Sequence, residues 1–414
     1  MKDKTIIKDL AKKAYEYAVS NETEERRNLW RDHNSLLRTR PLVIVNFNPP
    51  NVVPELNELL CEDELAREIE LSLRCALYRM TLNDDTVHEP WYTIRAVFDY
   101  PETIDRRWGP KISVTRPEYE HGAFIFDPPL KTDNDFQKLV KPIHKINEQA
   151  TRERYEKTCD LLDGALPVRI DRTPVYMNWY SDISTDVAYL RGLEQMMYDP
   201  YDNPGFFKRL AAFLSESALG IQDEAEAKGD FSTASHTNQA VTYARELPDP
   251  IADNTPVTRN LLWVFCASQE TTVMSPAMWE EYILAYQKPI YEKYGLLAYG
   301  CCEDLTKRIS ILKRSLPNLR RIAVTPWADL RSCAEQISDD YVMSWRPSPT
   351  DMVASDFDPE RVRRAAREAF KIAGENKNHI DVTLKDVHTV SGNMGAIPGF
   401  VKCVKEAIEE GDWA

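Results

Sequence analysis

The residues with the clearest chemical potential are Cys301, Cys302 and Glu303, which directly follow the apolar run Leu296–Tyr299 and Gly300. Thiolates and carboxylates are zinc ligands, and a thiol of low pKa is also a nucleophile. Cys301 and Glu303 are therefore candidates both for catalysis and for zinc binding. Adjacent cysteines do not have the C-x-x-C spacing of a zinc site. The alternative stays open that one cysteine packs in the core and Glu303 caps the next helix.

Two more titratable side chains follow predicted strands. Glu270 comes after the apolar residues 261–265, and a carboxyl group whose pKa is raised by an apolar site serves as a general acid or base. His388 comes after the last predicted strand and is a candidate proton donor and third metal ligand. The alternatives are a solvated loop carboxylate for Glu270 and a structurally satisfied histidine for His388.

Polar and aromatic side chains also collect at the ends of predicted strands and in one polar loop. Aromatic walls with a few polar groups are typical of a small-molecule pocket. Core packing is the alternative for the aromatic residues, and contact with solvent is the alternative for the loop histidine. The substrate-binding candidates are Asn46, Asn48, Asn178, Trp179, Tyr180, His236, Trp327, Trp345 and Arg346.

The elements that position these residues alternate between helix and strand from residue 130 onwards. Repeated strand–helix units imply parallel strands with helical crossovers. About eight strand candidates favour an α/β fold with a closed (β/α)8 TIM barrel over a doubly wound sheet, whose first turn is usually rich in glycine. We predict an N-terminal helical extension over residues 1–37 and the barrel over residues 38–414. In a barrel, catalytic groups lie at the C-terminal ends of the strands, where these candidates fall.

The apolar pattern also predicts where individual elements begin and end. The helix over residues 276–294 has the clearest signals, with Ser275 as N-cap and Pro276 in the first turn. The other predicted helices cover residues 3–32, 54–80, 135–159, 206–227, 304–315 and 400–410, and one more begins near residue 358. The predicted strands cover residues 42–45, 166–170, 174–179, 261–266, 296–299, 321–324, 341–344 and 380–384.

Composition restricts the partners and the compartment. The chain of 414 residues has a net charge of −14, and so acidic a surface repels nucleic acid. No apolar run approaches the roughly 18 residues of a membrane span. The start of the chain is charged and unlike a signal peptide, and the 8 cysteines do not suit a secreted disulfide framework. We therefore expect a cytoplasmic protein with reduced thiols.

Several stretches outside the candidate sites resemble motifs of a known protein family. They are residues 40–43, 127–139, 173–176 with 196–200, 274–286, and 393–407. Together they resemble the uroporphyrinogen decarboxylase superfamily of (β/α)8 barrels, which also includes corrinoid-linked and coenzyme M-linked methyltransferases. The chain looks nearer to the corrinoid-linked methyltransferase branch than to true uroporphyrinogen decarboxylase, because the loop over residues 46–51 lacks the arginines with which true uroporphyrinogen decarboxylases hold propionates.

The resemblance also bears on the metal. Residues 299–302 align with the His-x-Cys-Gly zinc motif of the methyltransferases, but Tyr299 replaces the histidine and Cys302 the glycine, so only Cys301 is retained. If the resemblance includes zinc, the site must be rebuilt from Cys301, Glu303 or Glu270, and His388.

The resemblance implies a methyltransferase of a corrinoid-dependent demethylation system. We expect such an enzyme to move a methyl group between a small substrate, such as a methoxylated aromatic, and cobalamin carried by a partner protein. The resemblance also implies zinc as a cofactor and a homodimer as the assembly. One alternative is a metal-free decarboxylase or other lyase of a small aromatic acid, with Arg346 or Lys385 pairing the carboxylate. A second is a non-catalytic barrel that serves as a sensor or scaffold.

Overall fold

A computed structural model describes residues 2–101, 103, 106–116, 125–174, 182–354, 356–411 and 413. Its helices, in chain order, are α1 (Lys2–Ala18), α2 (Asn21–Asn34), α3 (Pro49–Val52), α4 (Glu64–Met80), α5 (Glu148–Leu162), α6 (Ile183–Arg191), α7 (Leu193–Asp202), α8 (Pro204–Ala227), α9 (Pro276–Trp279), α10 (Ala285–Tyr291), α11 (Ile309–Ser315), α12 (Leu330–Ile337), α13 (Pro359–Glu375) and α14 (Ala396–Glu409). None of the helices in this part of the chain has the length and apolarity that crossing a bilayer requires.

The strands are shorter than the helices. They are β1 (Leu42–Phe47), β2 (Tyr92–Arg95), β3 (Ser113–Thr115), β4 (Ile125–Asp127), β5 (Val168–Asp171), β6 (Trp263–Cys266), β7 (Leu296–Tyr299), β8 (Leu319–Val324), β9 (Val342–Trp345) and β10 (His379–Val387). The strand predicted over residues 174–179 lies almost wholly outside the described residues.

Several predicted helices are divided where a polar side chain caps a new helix. The helix predicted over residues 3–32 breaks before α2, because the Ser20 hydroxyl accepts a hydrogen bond from Thr23 N at 3.2 Å. The prediction over residues 135–159 is wrong in its first half, since α5 starts only after Asn147 caps it. Ser275 is confirmed as an N-cap, but a π-helical turn over Glu280–Leu284 separates α9 from α10.

Six parallel strands form one curled sheet in the order β1-β10-β9-β8-β7-β6. β2 and β5 form a separate parallel pair, and β3 and β4 form an antiparallel pair. The predicted α/β class with parallel strands is confirmed. The predicted closed barrel is shown only in part, because the described strands form an open six-stranded half-barrel and a separate pair.

A loop covers the edge of the large sheet at β1. The Asp85 carboxylate accepts a hydrogen bond from Val43 N at 2.8 Å, and the Asp84 carboxylate accepts one from Val45 N at 3.1 Å. Asp85 N in turn donates to Val43 O at 2.7 Å. Side chains and one amide therefore occupy the β1 groups to which β2 would bond in a closed barrel.

The opposite edge, at β6, is covered in the same way. Trp263 N donates to His236 Nδ1 at 3.0 Å, and Phe265 N donates to the Thr237 hydroxyl at 3.0 Å. Thr237 N donates back to Trp263 O at 3.1 Å. A loop thus stands where β5 would pair in a closed ring.

The two faces of the sheet differ in chemistry. On β8 to β10, apolar side chains such as Ile322, Met343 and Val382 pack with the helices in the main core. Because side chains alternate along a strand, the intervening residues face the concave side. Arg321 on β8, Arg346 directly after β9, and Asp381, Thr383 and Lys385 on β10 lie on that side, so the interior of the half-barrel is charged.

Candidate functional site

Cys301 enters the half-barrel at the C-terminal end of β7. Gly300 just before it has a φ of +106°, a value that L residues rarely adopt. A Cβ at Gly300 would lie 2.7 Å from Leu305 Cδ1 and 2.9 Å from Ala323 Cβ. Glycine therefore lets the chain turn tightly over β8 and bring Cys301 inward, where its side chain is buried.

The ammonium group of Lys385 lies between the two thiols. Its Nζ is 3.3 Å from Cys301 Sγ and 3.1 Å from Cys302 Sγ, and it donates to Asp386 Oδ2 at 2.5 Å. The two sulfur atoms are 3.6 Å apart. Cys302 is exposed and its sulfur is 3.5 Å from Asp386 Oδ2, so the cluster extends from the interior to the surface.

Two more side chains hold Cys301 in place. Arg346 Nη1 donates to Cys301 O at 2.8 Å, and Gln239 Nε2 donates to Cys301 Sγ at 3.5 Å. Arg346 is only 5% exposed. Within the described ranges, Arg346 Nε and Gln239 Oε1 are buried and have no hydrogen-bond partner.

The surroundings of Cys301 favour its thiolate. The thiol of Cys302 contributes most, followed by the positive charges of Lys385 and Arg346; together they outweigh burial and lower the pKa of Cys301 to about 6. The same contact raises the pKa of Cys302, because its proton is held against the Cys301 sulfur. The thiolate of this pair therefore resides on Cys301 at neutral pH.

Glu303 is fully buried and ties two strand ends together. One carboxylate oxygen accepts from Ser268 N at 2.8 Å, and the other accepts from Cys301 N at 2.8 Å. Its contribution is thus to fix the turn after β7 against the turn after β6.

Glu270 belongs to a neighbouring carboxyl cluster. It accepts hydrogen bonds from the hydroxyls of Ser184 at 2.8 Å and Thr185 at 2.9 Å, and both hydroxyls also contact Asp182. Burial and the nearby charge of Glu270 raise the pKa of Asp182 well above its ordinary value. Glu270 therefore lies at a strand end, as predicted, but the residues described around it are those of α6 and not the thiols.

The remaining predicted site residues lie in several places. His388 is exposed beyond the end of β10, and Trp327 is 77% exposed on the rim after β8. Trp345 packs in the core between sheet and helices, and His236 caps the edge of β6. Asn178, Trp179 and Tyr180 lie outside the described residues.

The two asparagines after β1 also have local partners. Asn46 Nδ2 donates to Gln239 O at 2.9 Å, and Gln239 in turn contacts the Cys301 sulfur. Asn48 Nδ2 donates to Asn51 Oδ1 at 3.0 Å at the start of α3. Asn46 is thus near the thiol cluster, whereas Asn48 bonds within its own turn.

A cavity of about 420 Å³ opens above the thiols. Its polar lining combines the thiol cluster with hydroxyls, and its apolar lining is an indole and three prolines. The residues are Cys301, Cys302, Thr325, Pro326, Trp327, Arg346, Pro347, Ser348, Pro349, Thr350, Asp351, Lys385 and Asp386. Of the predicted residues, the structure brings Cys301, Trp327 and Arg346 together here.

The proposed zinc ligands do not form a metal site. No group of three His, Cys, Asp or Glu side chains in the described part of the chain is arranged to hold a metal ion. Both oxygens of Glu303 are engaged with backbone N–H groups, and the Lys385 ammonium contacts both sulfurs. The set Cys301, Glu303 and His388 therefore does not fit zinc as it stands.

Sequence reasoning missed the central partner of Cys301. The sequence names Lys385 only as an alternative to Arg346 for pairing a substrate carboxylate, and it does not single out Gln239. A signal was present in the last strand, because Asp381, Thr383 and Lys385 alternate with apolar residues in a segment predicted to be buried. Polar residues with a period of two in such a strand indicate a polar interior face.

The fold defines an α/β protein with a parallel half-barrel whose chemical groups lie at the C-terminal strand ends. It is similar to the solved structure of a methyltransferase from Methanosarcina mazei, with a TM-score of 0.51 and 11% identity, covering 93% of this chain and 98% of that chain. At that identity the likeness shows a shared fold. No protein-family model matches the chain, and no curated protein matches it.

Proposed function

We propose that the protein is a methyltransferase that moves a methyl group between a small methoxylated substrate and cobalamin carried by a partner protein. The observation that carries the proposal is the Cys301–Lys385 pair at the base of the cavity, placed at the strand ends where barrel enzymes keep their catalytic groups. The shared fold with a methyltransferase supports it.

The cavity has groups suited to the difficult part of this reaction. When a methyl group leaves an ether, the oxygen keeps the bonding electrons and gains negative charge. Lys385 provides a fixed ammonium that stabilises this charge, and Arg346 adds a second cation in the same cavity. Trp327 and the adjacent prolines offer flat apolar surface for an aromatic ring.

Two exposed apolar side chains on the rim of the half-barrel support the proposed docking of a cobalamin protein. Val273, after β6, is 80% exposed and Trp327, after β8, is 77% exposed. Contiguous exposed apolar patches mark contact surfaces, and we infer that these two side chains belong to such a surface for the cobalamin protein. Reduced cobalamin supplies a strong nucleophile for a methyl group, and the role of this chain is to bind the donor and stabilise its leaving oxygen.

The test is methyl transfer from a panel of methoxylated aromatics to reduced cobalamin, followed by mass spectrometry of the demethylated product. Lys385→Met is expected to lower the rate by about 100-fold, as for the loss of one preorganised charge. The matched control is Lys402→Met, which removes a 76% exposed lysine on α14. Absence of transfer from every donor overturns the proposal.

A second candidate function is decarboxylation of a small aromatic acid. The observation that favours it is the presence of two cations, Arg346 and Lys385, in the lining of one cavity. Release of carbon dioxide from aromatic acids, unchanged by a chelator and without methyl transfer, identifies this activity.

A further inference from the structure

Arg346 uses few of its hydrogen-bonding groups. A guanidinium carries five N–H donors, and in the described chain one of them, on Nη1, donates to Cys301 O. Its Nε is buried without a hydrogen-bond partner among the described residues. No carboxylate of the described chain lies within ion-pair distance of Arg346, whereas Arg321 on the adjacent strand pairs with Asp381 at 2.8 Å.

The two anions near Arg346, the Cys301 thiolate and Asp386, also contact Lys385, and neither forms an ion pair with the guanidinium, so part of the hydration that Arg346 loses on burial is not replaced. Lys385, the other cation in the cavity, already has Asp386 at 2.5 Å. Arg346 therefore has more unused hydrogen-bonding capacity for an anionic group than Lys385 has. Its planar fork matches the two oxygens of a carboxylate.

The rest of the cavity defines the body of the ligand. Pro326, Trp327, Pro347 and Pro349 form apolar lining, and the cavity of about 420 Å³ has room for one small ring with substituents. Such a lining suits a flat apolar group better than a sugar or a nucleotide, and no described lysine or arginine other than Lys385 and Arg346 lines it.

We propose that Arg346 is the binding site for the carboxylate of an aromatic acid whose ring lies against Trp327 and the prolines. This carboxylate site depends on the proposed methyltransferase function in one respect: the acid is taken to be the methoxylated substrate. The carboxylate contact itself requires neither methyl transfer nor a partner protein.

The experiment measures binding by calorimetry, with the purified full chain and no cobalamin. The probes are 4-methoxybenzoate and 4-methoxybenzamide, which share a shape but differ in charge. The wild-type protein binds the benzoate at least tenfold more tightly than the amide. Arg346→Met weakens benzoate binding by roughly 10- to 100-fold, the range for a hydrogen bond to a charged group, and leaves amide binding nearly unchanged.

Two further variants complete the design. Arg331→Met removes a 55% exposed arginine paired with Glu375 and leaves the affinity for benzoate unchanged. Arg346→Lys keeps the charge but loses the fork, so it weakens benzoate binding less than Arg346→Met. If Arg346→Met does not fold, as judged by circular dichroism, the ratio of benzoate to amide affinity in Arg346→Lys decides: a lower ratio supports the proposal, and an unchanged ratio overturns it.

Equal binding of benzoate and amide by the wild-type protein overturns the proposal, and so does absence of benzoate binding. The two proposals can fail separately. Benzoate binding that depends on Arg346, without any methyl transfer, leaves the carboxylate site standing and removes the methyltransferase. If methyl transfer from a neutral ether is unaffected by Arg346→Met and no benzoate binds, the methyltransferase proposal stands and the carboxylate site is removed.

Discussion

Two charged clusters lie on the concave side of the same sheet, four residues apart along β10, which is about 13 Å. The lower one surrounds Asp381, which contacts Arg321 Nη2 at 2.8 Å and His33 Nε2 at 3.2 Å. It also accepts hydrogen bonds from the hydroxyls of Ser344 and Thr383, each at 3.0 Å. Although burial acts to raise it, these contacts lower the pKa of Asp381 to about 2.

The upper cluster has a different balance. Arg346 and Lys385 share the cavity lining with two carboxylate residues, Asp351 and Asp386, and with the Cys301 sulfur, while Arg346 Nε and Gln239 Oε1 have no hydrogen-bond partner among the described residues. In the lower cluster the protein satisfies its own charge. In the upper cluster it leaves hydrogen-bonding capacity beside a cavity, and from this difference we infer that the lower cluster is structural and that the upper one binds a ligand.

The largest expected contrast is in stability. Asp381→Ala leaves Arg321 buried without its anion and is expected to lower the free energy of unfolding by about 3–5 kcal/mol. Arg346→Met breaks no ion pair of the described chain and is expected to cost about 1 kcal/mol. Urea unfolding of both variants, with Arg331→Met as the surface control, measures the difference. Similar losses for the two interior variants contradict the division into a structural and a functional cluster.

The next contrast is in thiol reactivity. With the pKa of Cys301 at about 6, compared with an ordinary value of 9.0, most of this thiol is ionised at pH 7. Lys385→Met removes the nearest cation and is expected to slow iodoacetamide labelling of Cys301 roughly tenfold at pH 7. Peptide mass spectrometry follows the label, with Lys402→Met as the matched control. Labelling of Cys301 that rises only near pH 9 in the wild type contradicts the thiolate assignment.

The two clusters also differ in the pH range over which they affect stability. Burial, partly opposed by Asp381, lowers the pKa of His33, so the unfolded chain binds a proton first as the pH falls below about 6.5. Stability then falls with pH by at most about 1.4 kcal/mol per pH unit for this single proton. His33→Gln is expected to flatten the curve of unfolding free energy between pH 7 and 5. An identical slope in wild type and variant shows that His33 is not buried in its neutral form.

The lowered pKa of Cys301 also makes stability fall as the pH falls, but over a higher pH range than that of His33. The thiolate contributes stability that is present above the ordinary pKa of 9.0 and is lost as the pH falls towards about 6. Cys301→Ser is therefore expected to flatten the curve between pH 9 and 6 while leaving the range from pH 6 to 5 unchanged. The same urea unfolding series measures both variants.

The smallest expected effect concerns metal. Because Lys385 contacts both sulfurs and Glu303 is fully engaged, we expect substoichiometric zinc in the purified protein and no change in melting temperature with a chelator. Inductively coupled plasma mass spectrometry checks the first, and calorimetry the second. One zinc per chain that disappears in Cys301→Ala shows that the cluster rearranges around a metal.

Local sequence signals predict the limits of single helices and strands better than they predict which strands pair. β7 has the predicted limits, because Gly295 and Gly300 mark both ends of its apolar run. The predicted closed ring of strands is found only in part, because the loops at Asp85 and Thr237 occupy both edges of the six-stranded sheet. The sequence gives no sign of this, since contacts between distant segments leave no periodic pattern. Cys301 was identified from its type and place after a strand. Lys385 is 84 residues away, and only the assembled sheet brings the two together.

The side chains that cover both edges of the six-stranded sheet also matter between molecules. A bare edge strand offers free N–H and C=O groups to the strand of another copy, and this is a common start of aggregation. Here Asp85 binds Val43 N, and Thr237 binds Phe265 N. Replacing Thr237 by valine keeps the shape of the loop but uncovers one of these amides. We expect the loss of this hydrogen bond to have little effect on the folding of a single chain and a larger effect on self-association at high protein concentration.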